Sequence, residues 1–97
     1  MNIHVTFKHM DSSPATEEYL TAKLSKLCDK YVSGAAIDAT AVFEVAKIRH
    51  ISNVHLVVNG NTFVATDEAD DMQTAVDRML GKLERQLHDH KAKMRSH

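Results

Sequence analysis

The sequence predicts a single two-layer α+β domain with element order β-α-β-β-β-α, a four-stranded sheet carrying two helices on one face. Three observations carry this expectation. The chain opens on a strict apolar/polar alternation, and its middle holds strand-like segments punctuated by an Asn-Gly turn. It closes on a long stretch whose apolar residues recur at three- and four-residue steps. Its 97 residues fit one domain, 1–97, able to fill a two-layer core but not to enclose a deep cleft.

Asn2 to Lys8 sets Ile3, Val5 and Phe7 against His4, Thr6 and Lys8, which is a half-buried strand. A helix then starts at Ser13, suited to the N-cap, with Pro14 at the first helical position. Leu20, Leu24, Leu27 and Tyr31 form its apolar stripe, and Gly34 is the expected terminator. Cys28 falls on or beside that stripe as a buried, inert thiol. Ile37–Ala46 reads as the second strand, Ile51–Val58 as the third and Thr62–Thr66 as the fourth. Asn59-Gly60-Asn61 turns the last hairpin, because Asn and Gly tolerate positive φ. The closing helix is read from Asp70 to His97, with Met72, Val76, Met79, Leu83, Leu87 and Met94 on its buried face and fraying beyond about Lys91. The first crossover makes strands one and two parallel and right-handed, and the rest is an antiparallel meander. Two one-faced helices most simply share a sheet face. That layout resembles a double-stranded RNA-binding domain.

With no Trp, three Phe and two Tyr, aliphatic side chains and Met must fill the core. No apolar run approaches ~20 residues, and the start lacks a basic region followed by an apolar stretch, so a cytoplasmic protein without a membrane partner is expected. One cysteine excludes an internal disulfide. No Gly-rich phosphate loop, nucleophile elbow or Cys with a positioned base is present, so neither an enzyme nor a small-molecule substrate is expected. Seven histidines invite a metal, but His88 and His90 point ~200° apart on a helix, and His50 and His55 fall on opposite sides of a strand. No metal or cofactor is expected. Asp67, Glu68, Asp70 and Asp71 read as acids complementing the dipole of the closing helix.

The net charge of −1 conceals an asymmetry. From Arg78 onward there are six Lys/Arg against two acids. Arg78, Lys82 and Arg85 recur at helical steps, roughly 140° from the centre of the apolar stripe. Lys23, Lys26 and Lys30 make a matching row on the first helix. Two docked helices with such rows can form one positive surface for the phosphates of a structured nucleic acid. The outer sheet face is short of aromatics, which argues against base stacking on single strands.

Asp71-Met72, Ala75-Val76-Asp77, Lys82-Leu83-Glu84-Arg85-Gln86-Leu87 and His90-Lys91-Ala92-Lys93 resemble the short ribosome hibernation promoting factor / protein Y family. Ala22-Lys23-Leu24-Ser25-Lys26-Leu27 and the Val57-Val58-Asn59-Gly60 hairpin are similar too, so the resemblance spans nearly the whole chain. It implies a domain that binds the small ribosomal subunit in the channel for messenger and transfer RNA. There it would block translation and preserve inactive ribosomes under stress or in stationary phase, and short forms can favour ribosome dimers. Carried over by position, the implied RNA-binding residues are Lys23, Lys26, Lys30, Arg78, Lys82, Arg85, Lys91 and Lys93. The implied partners are ribosomal RNA and neighbouring ribosomal proteins, with a monomer expected when free. The family commonly has Tyr where this chain has Gln73. The sequence shows neither the acidic tail of protein Y nor the extra domain of the long forms, which points to a short hibernation factor. A protein Y-type inhibitor of single ribosomes is the near alternative. A protein-interaction module using the sheet edge or its outer face, without RNA, is the distant one.

Overall fold

A computed structural model describes residues 1–94, with Met94 described by its backbone alone. The order is β1 (Asn2–Lys8), α1 (Pro14–Tyr31), β2 (Ile37–Ala46), β3 (Arg49–Val58), β4 (Asn61–Ala69) and α2 (Met72–Met94). The strands lie in chain order, β1 parallel to β2 and the others antiparallel. This is the expected α+β architecture, and its departures from the sequence reading are local.

Ser13 caps α1, its Oγ accepting the Thr16 N–H at 3.2 Å, and Pro14 opens the helix. The helix ends at Tyr31 rather than at Gly34. Val32 closes it through an N–H bond to the Cys28 carbonyl at 2.8 Å, and Gly34, at φ +80°, serves the turn beyond. Asn59 and Gly60, at φ +50° and +85°, form a two-residue hairpin with both central residues left-handed, the geometry of a type I′ turn. The β2–β3 hairpin turns just as tightly through Lys47 and Ile48, with Lys47 at φ +59°.

Both of the last two strands exceed their expected lengths. β3 starts at Arg49 and β4 runs to Ala69, because charge pairs hold the extra residues: Arg49 meets Glu68 at 3.2 Å and Asp70 at 2.7 Å. The acidic cluster is therefore mostly a strand-pairing device, and Asp71 alone serves as the helix cap, accepting the Thr74 N–H at 2.8 Å. The long helix begins at Met72, two residues later than the sequence reading, and runs through Met94. Residues 95–97 and the Met94 side chain lie outside the described residues.

Strand alternation puts Ile3, Val5 and Phe7, then Ala39, Ala41 and Phe43, then Val54, Leu56 and Val58, then Phe63, Ala65 and Ala69 on one face. Both helices pack there. α1 contributes Leu20, Leu24 and Cys28, and α2 contributes Met72, Ala75, Val76, Met79, Leu80, Leu83 and Leu87. Alanines at the centre of β2 leave room for the helices to approach. A fully buried leucine such as Leu83 contributes about 2 kcal/mol by its removal from water. No helix among the described residues is long and apolar enough to cross a membrane.

Candidate nucleic-acid interface

The outer surface of the helical layer carries all eight of the cations singled out in the sequence, and the fold divides them into three groups. Between α1 and α2 runs a groove of about 300 Å³ lined by Lys23, Lys26, Leu27 and Lys30 on one side and Asp77, Leu80, Gly81 and Glu84 on the other. The lysines of α1 thus face two acids of α2.

Those acids are already engaged. Tyr19 Oη donates to Asp77 Oδ1 at 2.5 Å, and Tyr31 Oη donates to Glu84 Oε2 at 3.0 Å. Donation to the Asp77 carboxylate, reinforced by burial, pushes the Tyr19 phenol above its ordinary pKa of 10.0. Lys30 Nζ lies 3.5 Å from the same Glu84 oxygen and 5.1 Å from the Tyr31 ring centroid. Tyr31 first and Glu84 second raise the Lys30 pKa, holding its charge. Lys91 Nζ reaches across to the Lys30 carbonyl at 3.1 Å, a cation at the C-terminal end of α1. Lys30 and Lys91 therefore serve first to lock the helices together.

Arg78 and Lys82 turn the other way. Arg78 Nη1 donates to the Glu68 carbonyl at 3.0 Å, Lys82 Nζ to the Thr66 carbonyl at 3.0 Å, and Gln86 Nε2 to the Val64 carbonyl at 2.8 Å. These are alternate residues of β4, the edge strand. Four helical residues advance about 6 Å, and two strand residues advance about 6.6 Å. A row at 78, 82 and 86 therefore stays in step with carbonyls at 68, 66 and 64. Lys82 also pairs with Asp67 at 3.3 Å. The row expected from Arg78, Lys82 and Arg85 is accordingly split: the first two cover the sheet edge, and Arg85 stands apart from them. Gln86 was not among the expected site residues. Its signal is the four-residue spacing from Lys82, which charge counting overlooks.

The third group faces solvent. Lys26, Arg85 and Lys93 are exposed and have no ion-pair or hydrogen-bond partner among the described residues. Lys23 joins them, its Nζ 5.6 Å from the Tyr19 ring centroid. Gln73, in the position where the resemblance leads one to expect Tyr, lies beside Tyr19 at the groove's upper end.

Among the described residues no three His, Cys, Asp or Glu side chains converge as metal ligands. His88 packs edge-on to Tyr31 and His90 edge-on to Phe63, on separate flanks of α2. Cys28 is buried, and burial pushes its thiol pKa up, which suits packing rather than reactivity.

Comparison with known proteins places this surface in context. The family model described as sigma 54 modulation protein / S30EA ribosomal protein matches residues 3–95. A ribosome hibernation promoting factor of Escherichia coli (strain K12) is 35% identical over 97 residues, all of both chains. Among solved structures, a ribosomal subunit interface protein from Coxiella burnetii superposes with a TM-score of 0.83 at 32% identity. The match covers 95% of this chain and 99% of that one. The N-terminal domain of Thermus thermophilus Protein Y gives 0.79 at 25% identity, covering 90% and 96%.

Proposed function

The chain belongs to the sigma 54 modulation protein / S30EA ribosomal protein family, and on that premise we propose that it is a ribosome hibernation factor. It binds the small ribosomal subunit in the messenger and transfer RNA channel, in the cytoplasm. There it silences translation by occupancy rather than by chemistry and preserves the inactive particle. The observation that carries the reading is the pair Lys26 and Arg85, exposed on neighbouring helices and committed to nothing within the described residues. Together with Lys23 and Lys93 they supply the phosphate contacts. Lys30, Lys91, Arg78 and Lys82 fix the frame and add to its field.

Phosphate contacts release counterions, so binding to purified small subunits weakens steeply with salt, by about 0.9 in log–log slope for each contact on duplex-like RNA. The Lys26→Glu, Arg85→Glu double variant is expected to lose co-sedimentation with small subunits while keeping the wild-type circular dichroism spectrum. Wild-type co-sedimentation of that variant would overturn the assignment of this surface. Gradients run on intact ribosomes with the wild-type chain show whether bound ribosomes run as single particles or dimers.

A further inference from the structure

Three glycines occur in the chain, and two have plain conformational reasons. Gly34 and Gly60 both sit at positive φ in turns. Gly81 does not. It lies inside α2, outside the left-handed region, and a Cβ built on it meets nothing within 4 Å. A glycine within a helix destabilises it relative to alanine, through backbone entropy. Neither the backbone conformation nor the packing of this fold demands one here.

What the missing side chain creates is a notch in the wall of the interhelical groove. Gly81 lies one turn after Asp77 and one turn before Glu84, and both acids are held by tyrosines of α1. Lys26 lines the same groove from the other side. Arg85 follows Gly81 by one turn on α2. The notch therefore faces Lys26 across the groove and has Arg85 one turn along its own helix, outside the groove lining, while the carboxylates beside it, Asp77 and Glu84, already accept hydroxyl donors. Glycine is the residue that lets another chain's backbone come close. An RNA phosphodiester is narrow and anionic, so it fits a gap faced by the lysines of α1 and within one helical turn of Arg85.

We infer that Gly81 is a contact point for RNA. A phosphodiester seats over its Cα, with the phosphate oxygens reaching Lys26 and Arg85. This rests on the reading of the helical layer as the RNA-binding surface and adds a position where size, not charge, controls binding.

The test uses the full chain, purified small ribosomal subunits, and two substitutions that favour the helix, Gly81→Ala and Gly81→Gln. Gly81→Ala is expected to raise the melting temperature by about 4 °C, the gain from alanine at an exposed helix position in a small domain. Both variants are expected to bind less well, Gly81→Gln by about tenfold, as when a charge-assisted contact is pushed out of reach. Greater stability with weaker binding is a combination that a purely structural glycine does not give. If both variants bind as tightly as wild type while the Lys26→Glu, Arg85→Glu variant fails to bind, the notch is wrong and the surface stands. If the double charge reversal also binds normally, the surface falls and the inference with it.

Discussion

Tyr19 donates its hydroxyl proton to Asp77 at 2.5 Å, joining the second turn of α1 to the second turn of α2. Farther along both helices Tyr31 does the same for Glu84. Because both pairs advance in the same sense, α1 and α2 run in one direction, with their C-terminal ends together. Lys91 spans those ends. The alignment sets Lys26 on one wall of the groove and Gly81, one turn before Arg85, on the other, so the proposed interface depends on the two phenols that hold the helices in step.

Ionising Tyr19 would remove the donated proton and set a phenolate against a carboxylate, which is why its pKa is raised. For a pKa raised on folding, the stabilisation is complete below the unfolded value and is lost as pH rises through the folded one. Melting temperature is therefore expected to fall above about pH 10, with Tyr19→Phe flattening that part of the profile. Thermal melts across alkaline pH, read with phenolate absorbance, check this. An unchanged alkaline slope in the Phe variant would remove the bond from the account.

Arg78, Lys82 and Gln86 cover the carbonyls of an edge strand, the surface on which sheets pair unintentionally. The triple alanine variant is expected to lose little stability, since these contacts are exposed, yet to self-associate as concentration rises. Sedimentation velocity separates the outcomes. A triple variant that stays monomeric alongside wild type would show that the edge needs no cover. Reversing Arg78 alone is expected to weaken ribosome binding less than reversing Arg85.

Which parts of this arrangement were legible in the sequence follows from their physics. β1, β2 and the Asn59-Gly60 turn are written in local alternation and in residues that tolerate positive φ, so their bounds agree with the structure. The Lys47-Ile48 turn carries no such residue, because tertiary pairing of β2 with β3 imposes the left-handed conformation at Lys47. The extension of β4 to Ala69 depends on Arg49, twenty residues before Ala69 in sequence, and no local pattern reports it. For the site, helical spacing identified which residues were cationic and off the buried face. It could not say which would be occupied, since Arg78 and Lys82 are claimed by carbonyls that carry no side-chain signature.

Asp71 accepts both the backbone N–H of Thr74 at 2.8 Å and its hydroxyl at 2.9 Å. The backbone bond first, and the hydroxyl second, lower its pKa below the ordinary 3.8. A lowered folded-state pKa gives stability that is present above the unfolded value and is lost as pH falls through the folded one. Asp71→Ala is thus expected to melt below wild type at neutral pH and to converge with it as pH falls through the folded-state pKa, which lies below the ordinary 3.8. Asp71→Asn, still an acceptor, is expected to fall between them at neutral pH. Parallel curves for Asp71→Ala and wild type across the acid range would contradict the capping role.

Among the described residues Ser52 is the one fully buried polar residue in the core, in register with Phe43 on one side and Asp67 on the other. Its Oγ has no hydrogen-bond partner among the described residues. A buried hydroxyl without a partner forfeits its hydration and gains nothing in exchange, at a cost of about 1–3 kcal/mol. Alanine deletes the oxygen and leaves a gap smaller than a methyl group, so the cavity penalty is small beside that cost. Ser52→Ala is accordingly expected to stabilise the domain by about 1 kcal/mol, read as a higher urea midpoint with an unchanged slope. The usual result of removing a buried group is the reverse. A destabilised variant would mean that the hydroxyl does find an acceptor, and the β3–β4 end of the core would then be held by a polar contact rather than by packing alone.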